Sequence, residues 1–158
     1  MIRAYRPEDL ERIMVIGNRA FQAITKNSEE QLGVDIAIAV QPDPEFYKGK
    51  QVKAFAENFP ERVLICEREG TLVGFCTYII HAEKSMGEIG NNAADPECNE
   101  RGVGRELYEA AIEQFRKVGM QYATVTTGLE DCYIPARKSY ERAGFTRCLK
   151  HIQYYLDL

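Results

Sequence analysis

The sequence contains no apolar run that approaches the roughly 20 residues needed to cross a bilayer. Its first residues, Met1 to Pro7, also lack the apolar core of a signal peptide. Low-complexity stretches and internal repeats are absent as well. We therefore expect a cytoplasmic protein with no membrane partner.

Residues that bind metals or form disulfides are few. The only histidines are His81 and His151, which excludes a histidine-rich metal site. The cysteines number 5, and no pair has the Cys-x-x-Cys spacing typical of zinc and redox sites. Disulfide frameworks are also rare in the cytosol. The sequence therefore predicts neither a disulfide framework nor a zinc site.

Acidic residues outnumber basic ones, and the formal net charge is −4. This charge argues against a nucleic-acid partner, because phosphate backbones attract basic surfaces. It is more compatible with a cationic small molecule, although an acidic surface alone also explains it. A length of 158 residues suits one domain, and no linker divides residues 1–158.

Helical signals occur in five segments. The clearest is an apolar stripe that begins at Val103 and is stopped by Gly119. Ser28 to Gln31 resembles a capping box, which predicts a helix from there to about Val40. Helices are predicted over residues 10–21, 28–40, 45–58, 103–118 and 135–144.

Runs rich in β-formers and bounded by turn residues predict strands. Two of these runs flank the turn Glu67 to Gly70 and indicate a hairpin. Strands are predicted over residues 1–5, 62–66, 71–80, 87–94, 120–127, 145–149 and 152–156. The order of elements predicts an α/β layered domain with a mixed, mostly antiparallel central sheet flanked by helices.

One segment carries the chemistry, Asn99-Glu100-Arg101-Gly102-Val103-Gly104-Arg105, which lies between a strand and the strongest helix. Its two glycines let the backbone approach a ligand closely. The helix N-terminus offers free N–H groups, and the two arginines add cationic donors. Together these features predict a pyrophosphate site, with a plain glycine turn as the alternative. A Rossmann fingerprint would need glycine at Leu107, and the Gly-Lys-Ser/Thr of a P-loop is absent.

From about Gly87 to Phe145 the chain resembles the GNAT superfamily of acyl-CoA-dependent N-acyltransferases. The family's phosphate loop, Gln/Arg-x-x-Gly-x-Gly/Ala, is matched by Asn99-x-x-Gly102-x-Gly104, in which asparagine replaces the usual first residue. The family's helix motif, Ala-x-x-x-Tyr-x-x-x-Gly-Phe, is matched from Ala136 to Phe145.

Two further segments are similar to the same family. Ile89 to Pro96 resembles its fourth strand, and Ile2 to Asp9 is typical of its N-terminus. Residues 22–61 have no clear counterpart, and we interpret them as a helical insert on the acceptor side. They include Phe46, Tyr47 and Phe55, which either line an apolar slot or pack in the core.

The resemblance implies transfer of an acetyl group from acetyl-CoA to a primary amine of a small molecule, peptide or protein. In this family the fourth and fifth strands splay apart, and the pantetheine arm pairs with exposed backbone, here at Asn92, Ala93 and Ala94. Backbone N–H groups there would also hold the oxyanion of the thioester. This chemistry uses proton transfer and backbone dipoles, so no metal is required. Members of the family often pair, which makes a homodimer possible.

Proton transfer needs a base and an acid. Glu88 is the first candidate for the base that deprotonates the amine, with His81 as the second; an ordinary solvated glutamate is the alternative. Tyr140 matches the family's tyrosine and would protonate the leaving thiolate, with aromatic packing as the alternative role. A covalent route through Cys98 or Cys132 has no supporting motif.

Two other functions are compatible with the same loop. A non-catalytic module that senses acyl-CoA would keep the glycine cradle but lack a working acid or base. A protein that binds some other phosphate ligand would show no preference for the pantetheine arm. The adjacent tyrosines Tyr154 and Tyr155 would point to opposite faces of a terminal strand, so that one of them reaches the site.

Overall fold

The computed structural model describes all 158 residues. Five helices are present, namely α1 Leu10–Leu32, α2 Val34–Val40, α3 Tyr47–Asn58, α4 Val103–Lys117 and α5 Ile134–Arg142. Five strands are present, namely β1 Ile2–Ala4, β2 Val63–Arg68, β3 Thr71–His81, β4 Met86–Ala94 and β5 Tyr122–Val125. Short 3-10 turns lie at Pro7–Asp9, Pro60–Arg62, Ala82–Lys84 and Asp131–Tyr133.

All the strands belong to one sheet in the order β1-β2-β3-β4-β5. Neighbouring strands are antiparallel except β4 and β5, which are parallel because α4 connects them. The predicted α/β fold with a mixed, mostly antiparallel central sheet flanked by helices is therefore confirmed. None of the helices is both long enough and apolar enough to span a membrane.

Helices cover both faces of this sheet. On one face, here called the α1/α3 face, apolar residues of α1, α3, β2 and β3 form a core that includes Ile13, Ile16, Val52, Ile65 and Phe75. On the other, the α4/α5 face, a second core includes Cys76, Tyr78, Ile89, Leu107 and Phe115. Helices α1, α3, α4 and α5 contribute to these cores, as the helical spacing of their apolar residues predicts, whereas Val34, Ile38 and Val40 of α2 are exposed.

Strand β4 contains a β-bulge. Thr77 of β3 stands alone opposite two residues of β4, Gly90 and Asn91. The extra residue shifts the alternation of side chains along the strand. As a result Asn91 contacts α3 on the α1/α3 face, whereas Asn92 contacts α4 and α5 on the α4/α5 face.

Strand β4 also separates from its neighbour at this bulge. The parallel pairing of β4 with β5 ends at Ile89 and Val125. Residues 90–94 of β4 stay paired with β3 but have no partner in β5. The strands thus diverge over residues 90–94, which leaves one backbone edge of β4 free.

The predicted helix start at Ser28 is wrong. Ser28 lies inside α1, and its Oγ donates a hydrogen bond to the carbonyl oxygen of Ile24 at 3.1 Å. A serine in a helix interior often bonds to the fourth preceding carbonyl in this way. The break falls instead at Gly33, whose φ of +80° separates α1 from α2.

The predicted strands at residues 145–149 and 152–156 are absent. No backbone hydrogen bond involves a residue after Phe145, and Leu149, Tyr154 and Leu156 are 90%, 86% and 82% exposed. A strand requires a partner, and β5 offers an edge of only four residues. Tyr154 and Tyr155 both lie at the surface, so the expectation that one of them reaches the site from a strand is wrong.

Candidate active site

The glycine-containing loop forms the N-terminus of α4. Gly102 caps the helix with a φ of +82°, a conformation that a residue with a Cβ adopts only with strain. Val103 follows and is buried in the α4/α5 core, so its side chain fixes the start of the helix. The first N–H groups of α4 therefore stand free at a defined position beside the loop.

A pocket of about 350 Å³ opens at this helix end. Its lining consists of residues from the loop, α4 and α5, namely Arg101, Gly102, Gly104, Arg105, Glu106, Ser139 and Arg142. The one carboxylate among them, Glu106, is already paired, since its Oε1 lies 2.5 Å from Arg68 Nη2. Three guanidinium groups and a helix N-terminus thus surround one opening, which favours an anion.

The predicted loop residues fall into three groups, one of which is Val103 alone, buried in the α4/α5 core. Arg101, Gly102, Gly104 and Arg105 line the pocket, whereas Asn99 and Glu100 are exposed loop residues outside its lining. Sequence reasoning missed two further lining residues, Ser139 and Arg142. Their spacing of three residues in α5 places them on one side of that helix, a signal that the sequence did contain.

Beside the pocket, a buried polar cluster joins β4, α4 and α5. Tyr108 Oη donates to Asn92 Oδ1 at 2.7 Å, and Asn92 Nδ2 donates to Tyr140 Oη at 3.2 Å. The two tyrosine rings lie 4.8 Å apart between centroids. Burial raises the pKa of both hydroxyl groups, so both stay protonated at neutral pH.

The predicted pantetheine residues end β4 next to this cluster. The side chain of Ala93 is buried in the α1/α3 core, and Ala94 is exposed. Asp95 follows, and its buried carboxylate pairs with Arg12 of α1. Helix α1 thereby holds the free end of β4 in place.

The two base candidates contact each other. His81 Nε2 lies 2.8 Å from Glu88 Oε2, at the hairpin end of β3 and β4. Gly87 faces Phe115 and Ile89 belongs to the α4/α5 core, so the alternation along β4 directs Glu88 to the α1/α3 face. This pair lies before the bulge and on the face opposite Tyr140.

A profile of the acetyltransferase (GNAT) family matches residues 26–145. The chain belongs to this family. A mycothiol acetyltransferase of Sanguibacter keddieii is 29% identical over 96% of this chain and 45% of its own length. The chain therefore spans about half the length of that relative.

Solved structures have the same GNAT fold. A Bacillus halodurans protein aligns with a TM-score of 0.73 and 16% identity, and the alignment covers 100% of this chain and 99% of that one. A Brucella melitensis GNAT acetyltransferase in complex with acetyl-CoA aligns with a TM-score of 0.60 and 21% identity, over 93% and 82% of the two chains.

One residue of this GNAT domain was missed entirely by sequence reasoning. Lys48, in the first turn of α3, directs its Nζ to Asn91 Oδ1 at 2.9 Å. It thus reaches the bulge in β4 from the α1/α3 face. The sequence contains no signal for this contact, because the two residues are 43 positions apart. The aromatic residues expected near an acceptor slot do not share one environment: Phe46 is exposed, while Phe55 packs against the α1/α3 core.

Proposed function

We propose that this protein transfers an acetyl group from acetyl-CoA to a primary amine of a small molecule, peptide or protein. The observation that carries the proposal is the arginine-lined pocket beside the free edge of β4. An anion pocket alone would suit many phosphate ligands. A free strand edge within reach of it suits a ligand that joins a pyrophosphate to an extended amide chain, as coenzyme A does.

The donor would bind in two parts. N–H groups at the start of α4 and the guanidinium groups of Arg101, Arg105 and Arg142 would hold the pyrophosphate. The pantetheine arm would pair with the backbone of Asn92 to Ala94 as an added strand. The Brucella melitensis acetyltransferase, which has the same fold, was solved in complex with acetyl-CoA, and this supports the same donor here.

The reaction would proceed by direct attack. The neutral amine forms a bond to the thioester carbonyl carbon, and N–H groups of β4 stabilise the oxyanion. The C–S bond then breaks, and Tyr140 gives its proton to the departing thiolate. Because the hydroxyl of Tyr140 lies on the α4/α5 face, the amine would approach from the α1/α3 face.

Glu88 would accept the proton that the amine loses. Its hydrogen bond to His81 links both base candidates on the face from which the amine approaches. Since the pair precedes the bulge, the proton would travel through water rather than directly. The relative from Sanguibacter keddieii is named after mycothiol, a small molecule, and this supports small amines among the acceptors.

The first test is calorimetric titration with acetyl-CoA, coenzyme A and ADP. We expect both forms of coenzyme A to bind more tightly than ADP, since only they carry the pantetheine arm. Folded protein that binds neither form would contradict the proposal. Release of free thiol with an amine panel would then separate an enzyme from a sensor of acyl-CoA.

The two ends of α4 provide a matched pair of variants for the same titration. Gly102 and Gly119 both have positive φ; the nearest atom to the Cβ position of Gly102 is Glu106 Oε1 at an ordinary 3.8 Å, and Gly119 has none within 4 Å. Substitution by alanine should therefore strain both to a similar degree. We expect Gly102→Ala to weaken coenzyme A binding by about tenfold or more, and Gly119→Ala to leave it unchanged. If the two variants bind coenzyme A with equal affinity, the loop does not contribute to the donor site.

A further inference from the structure

Lys48 occupies an unusual position for a lysine. Its aliphatic stem passes over Gly17 of α1, where the Lys48 Cγ lies 3.4 Å from the Cβ position of that glycine. Its Nζ then donates to Asn91 Oδ1 at 2.9 Å and to Gln51 Oε1 at 2.7 Å. The ring of Phe21 lies 4.1 Å away, measured from Nζ to the ring centroid. The ammonium group is thus held at one point beside β4.

No carboxylate accompanies this ammonium group. Its contacts from α1, α3 and β4 are a ring and two neutral amide oxygens. Glu88 lies on the same face of β4 but bonds to His81, and Asp43 pairs with Lys50. Charges removed from water are normally paired in proteins. A partly buried cation without an acid at a candidate active site indicates that a ligand supplies the anion.

We infer that Lys48 binds an anionic group, a carboxylate, of the amine acceptor. This inference rests on the proposed function and specifies its substrate class. The side chain lies on the α1/α3 face, from which the amine would approach. The donor phosphates do not compete for this position, because their pocket lies at the N-terminus of α4.

The point at which the Lys48 ammonium group meets β4 also limits the length of the acceptor. Asn91 immediately precedes the backbone of Asn92 to Ala94, where the thioester would lie. With a rise of about 3.3 Å per strand residue, amine and carboxylate would be separated by roughly 3 to 7 Å. Short amino acids such as glycine, β-alanine and γ-aminobutyrate have this span, whereas plain alkylamines lack the anion.

The test compares each of these acids with its own amide. Thiol release from acetyl-CoA is measured for both, and rates are corrected for the fraction of neutral amine. We expect the wild-type protein to favour the acids by about tenfold to a hundredfold in kcat/KM, mainly through KM. Lys48→Met should abolish this preference, and Lys48→Arg should retain part of it. Lys53→Met is the matched control, because Lys53 is an exposed lysine of the same helix. Its Nζ lies 3.8 Å from Glu57 Oε1, so it already has an acidic partner.

The outcomes separate this inference from the proposed function. Equal use of acids and amides by the wild-type protein overturns the inference and leaves acetyl transfer intact. A preference that persists in Lys48→Met overturns it as well. Coenzyme A binding without transfer to any of the three acids also excludes this substrate class. Absence of both coenzyme A binding and thiol release would instead overturn the proposed function itself.

Discussion

At the scale of single residues, Tyr140 combines the two properties that a general acid needs. It touches the strand that would hold the thioester, through its contact with Asn92. It also stays protonated, because burial raises its pKa. Tyr108 shares the burial and the contact with Asn92 but belongs to α4. The assignment of the acid to Tyr140 rather than Tyr108 rests on the family motif.

We predict that Tyr140→Phe lowers kcat by about a hundredfold or more and leaves the affinity for coenzyme A nearly unchanged. The reason is that the proton donor is lost, together with the hydrogen bond that its oxygen accepts from Asn92, while the ring still packs. Steady-state thiol release and calorimetry measure the two quantities. Tyr78→Phe is the control, since it removes another buried hydroxyl, one that donates to the carbonyl oxygen of Glu61 at 3.2 Å. A normal kcat in Tyr140→Phe would reassign the acid.

Lys48 leads to a prediction about stability. Burial lowers its pKa to about 8 from an ordinary value near 10.5. The unfolded chain therefore binds more protons than the folded one between these two pH values, and Lys48 destabilises the folded state most below pH 8. We expect Lys48→Met to raise the free energy of unfolding at pH 7.

The difference in the free energy of unfolding between Lys48→Met and the wild-type protein should shrink as the pH rises from about 8 to 10.5. Above this range Lys48 is neutral in both the folded and the unfolded state. Urea denaturation of the two proteins across this range measures the difference. If Lys48 served only to stabilise the structure, we would expect the opposite result: Lys48→Met would be less stable than the wild-type protein at pH 7. The comparison is therefore independent of any acceptor.

Some site residues could be predicted from the sequence and others could not. Gly102, Arg105 and Tyr140 lie in short motifs with fixed spacing, so a local pattern is enough to find them. Lys48 and Tyr108 join the candidate site through contacts with β4 that only the folded sheet creates. Their own segments contain ordinary helix residues, and nothing in the local pattern marks them.

At the scale of elements, β4 and α4 approach each other closely at one point. Gly87 of β4 lies under the ring of Phe115, whose Cγ would be 2.2 Å from an added Cβ. We predict that Gly87→Ala destabilises the protein by about 1–3 kcal/mol, because the ring must move out of the core. Urea denaturation measures this change.

The double variant Gly87→Ala with Phe115→Leu tests the cause. A smaller side chain makes room for the new methyl group, so the two changes together should cost less than the sum of the single ones. Additive effects would show that the loss arises elsewhere in the strand.

The elements that were predicted well are those with a complete local signal. Helix α4 has an apolar stripe, a glycine at each end and a buried face, and its predicted bounds agree with the structure to within one residue. The start at Ser28 failed because a capping pattern also fits a helix interior, where serine bonds backward. The bulge at Gly90 and Asn91 was not predicted: a glycine inside a strand often marks a bulge, but the position of a bulge is set by the pairing with β3.

At the scale of the whole molecule, the sheet separates two halves of the proposed reaction. The α4/α5 face carries Tyr140 and would receive the leaving thiolate. The α1/α3 face carries Glu88 and Lys48 and would receive the amine. The two faces meet at the bulge in β4, which shifts the alternation of side chains so that Asn91 lies on the α1/α3 face and Asn92 on the α4/α5 face. In the proposed reaction, the proton donor Tyr140 and the proton acceptor Glu88 would therefore lie on opposite faces of one strand.

The segment after Phe145 provides the last prediction. Ile152, Tyr154, Leu156 and Leu158 alternate with other residues and are all exposed. The outer edge of β5 is also unpaired in the sheet. Exposed strand edges and contiguous apolar side chains promote association. We therefore predict that the protein forms a homodimer through this segment.

Light scattering over a range of protein concentrations measures the mass. We expect a dimer for the wild-type protein and a monomer for the double variant Ile152→Asp with Leu156→Asp, because two charges on the apolar side of the segment would have to leave water. Gln153→Asp is the control: it adds a charge on the other side of an extended segment and should leave the dimer intact. If the wild-type protein is a monomer at every concentration, the segment has another role, and its apolar side chains do not join two copies of this chain.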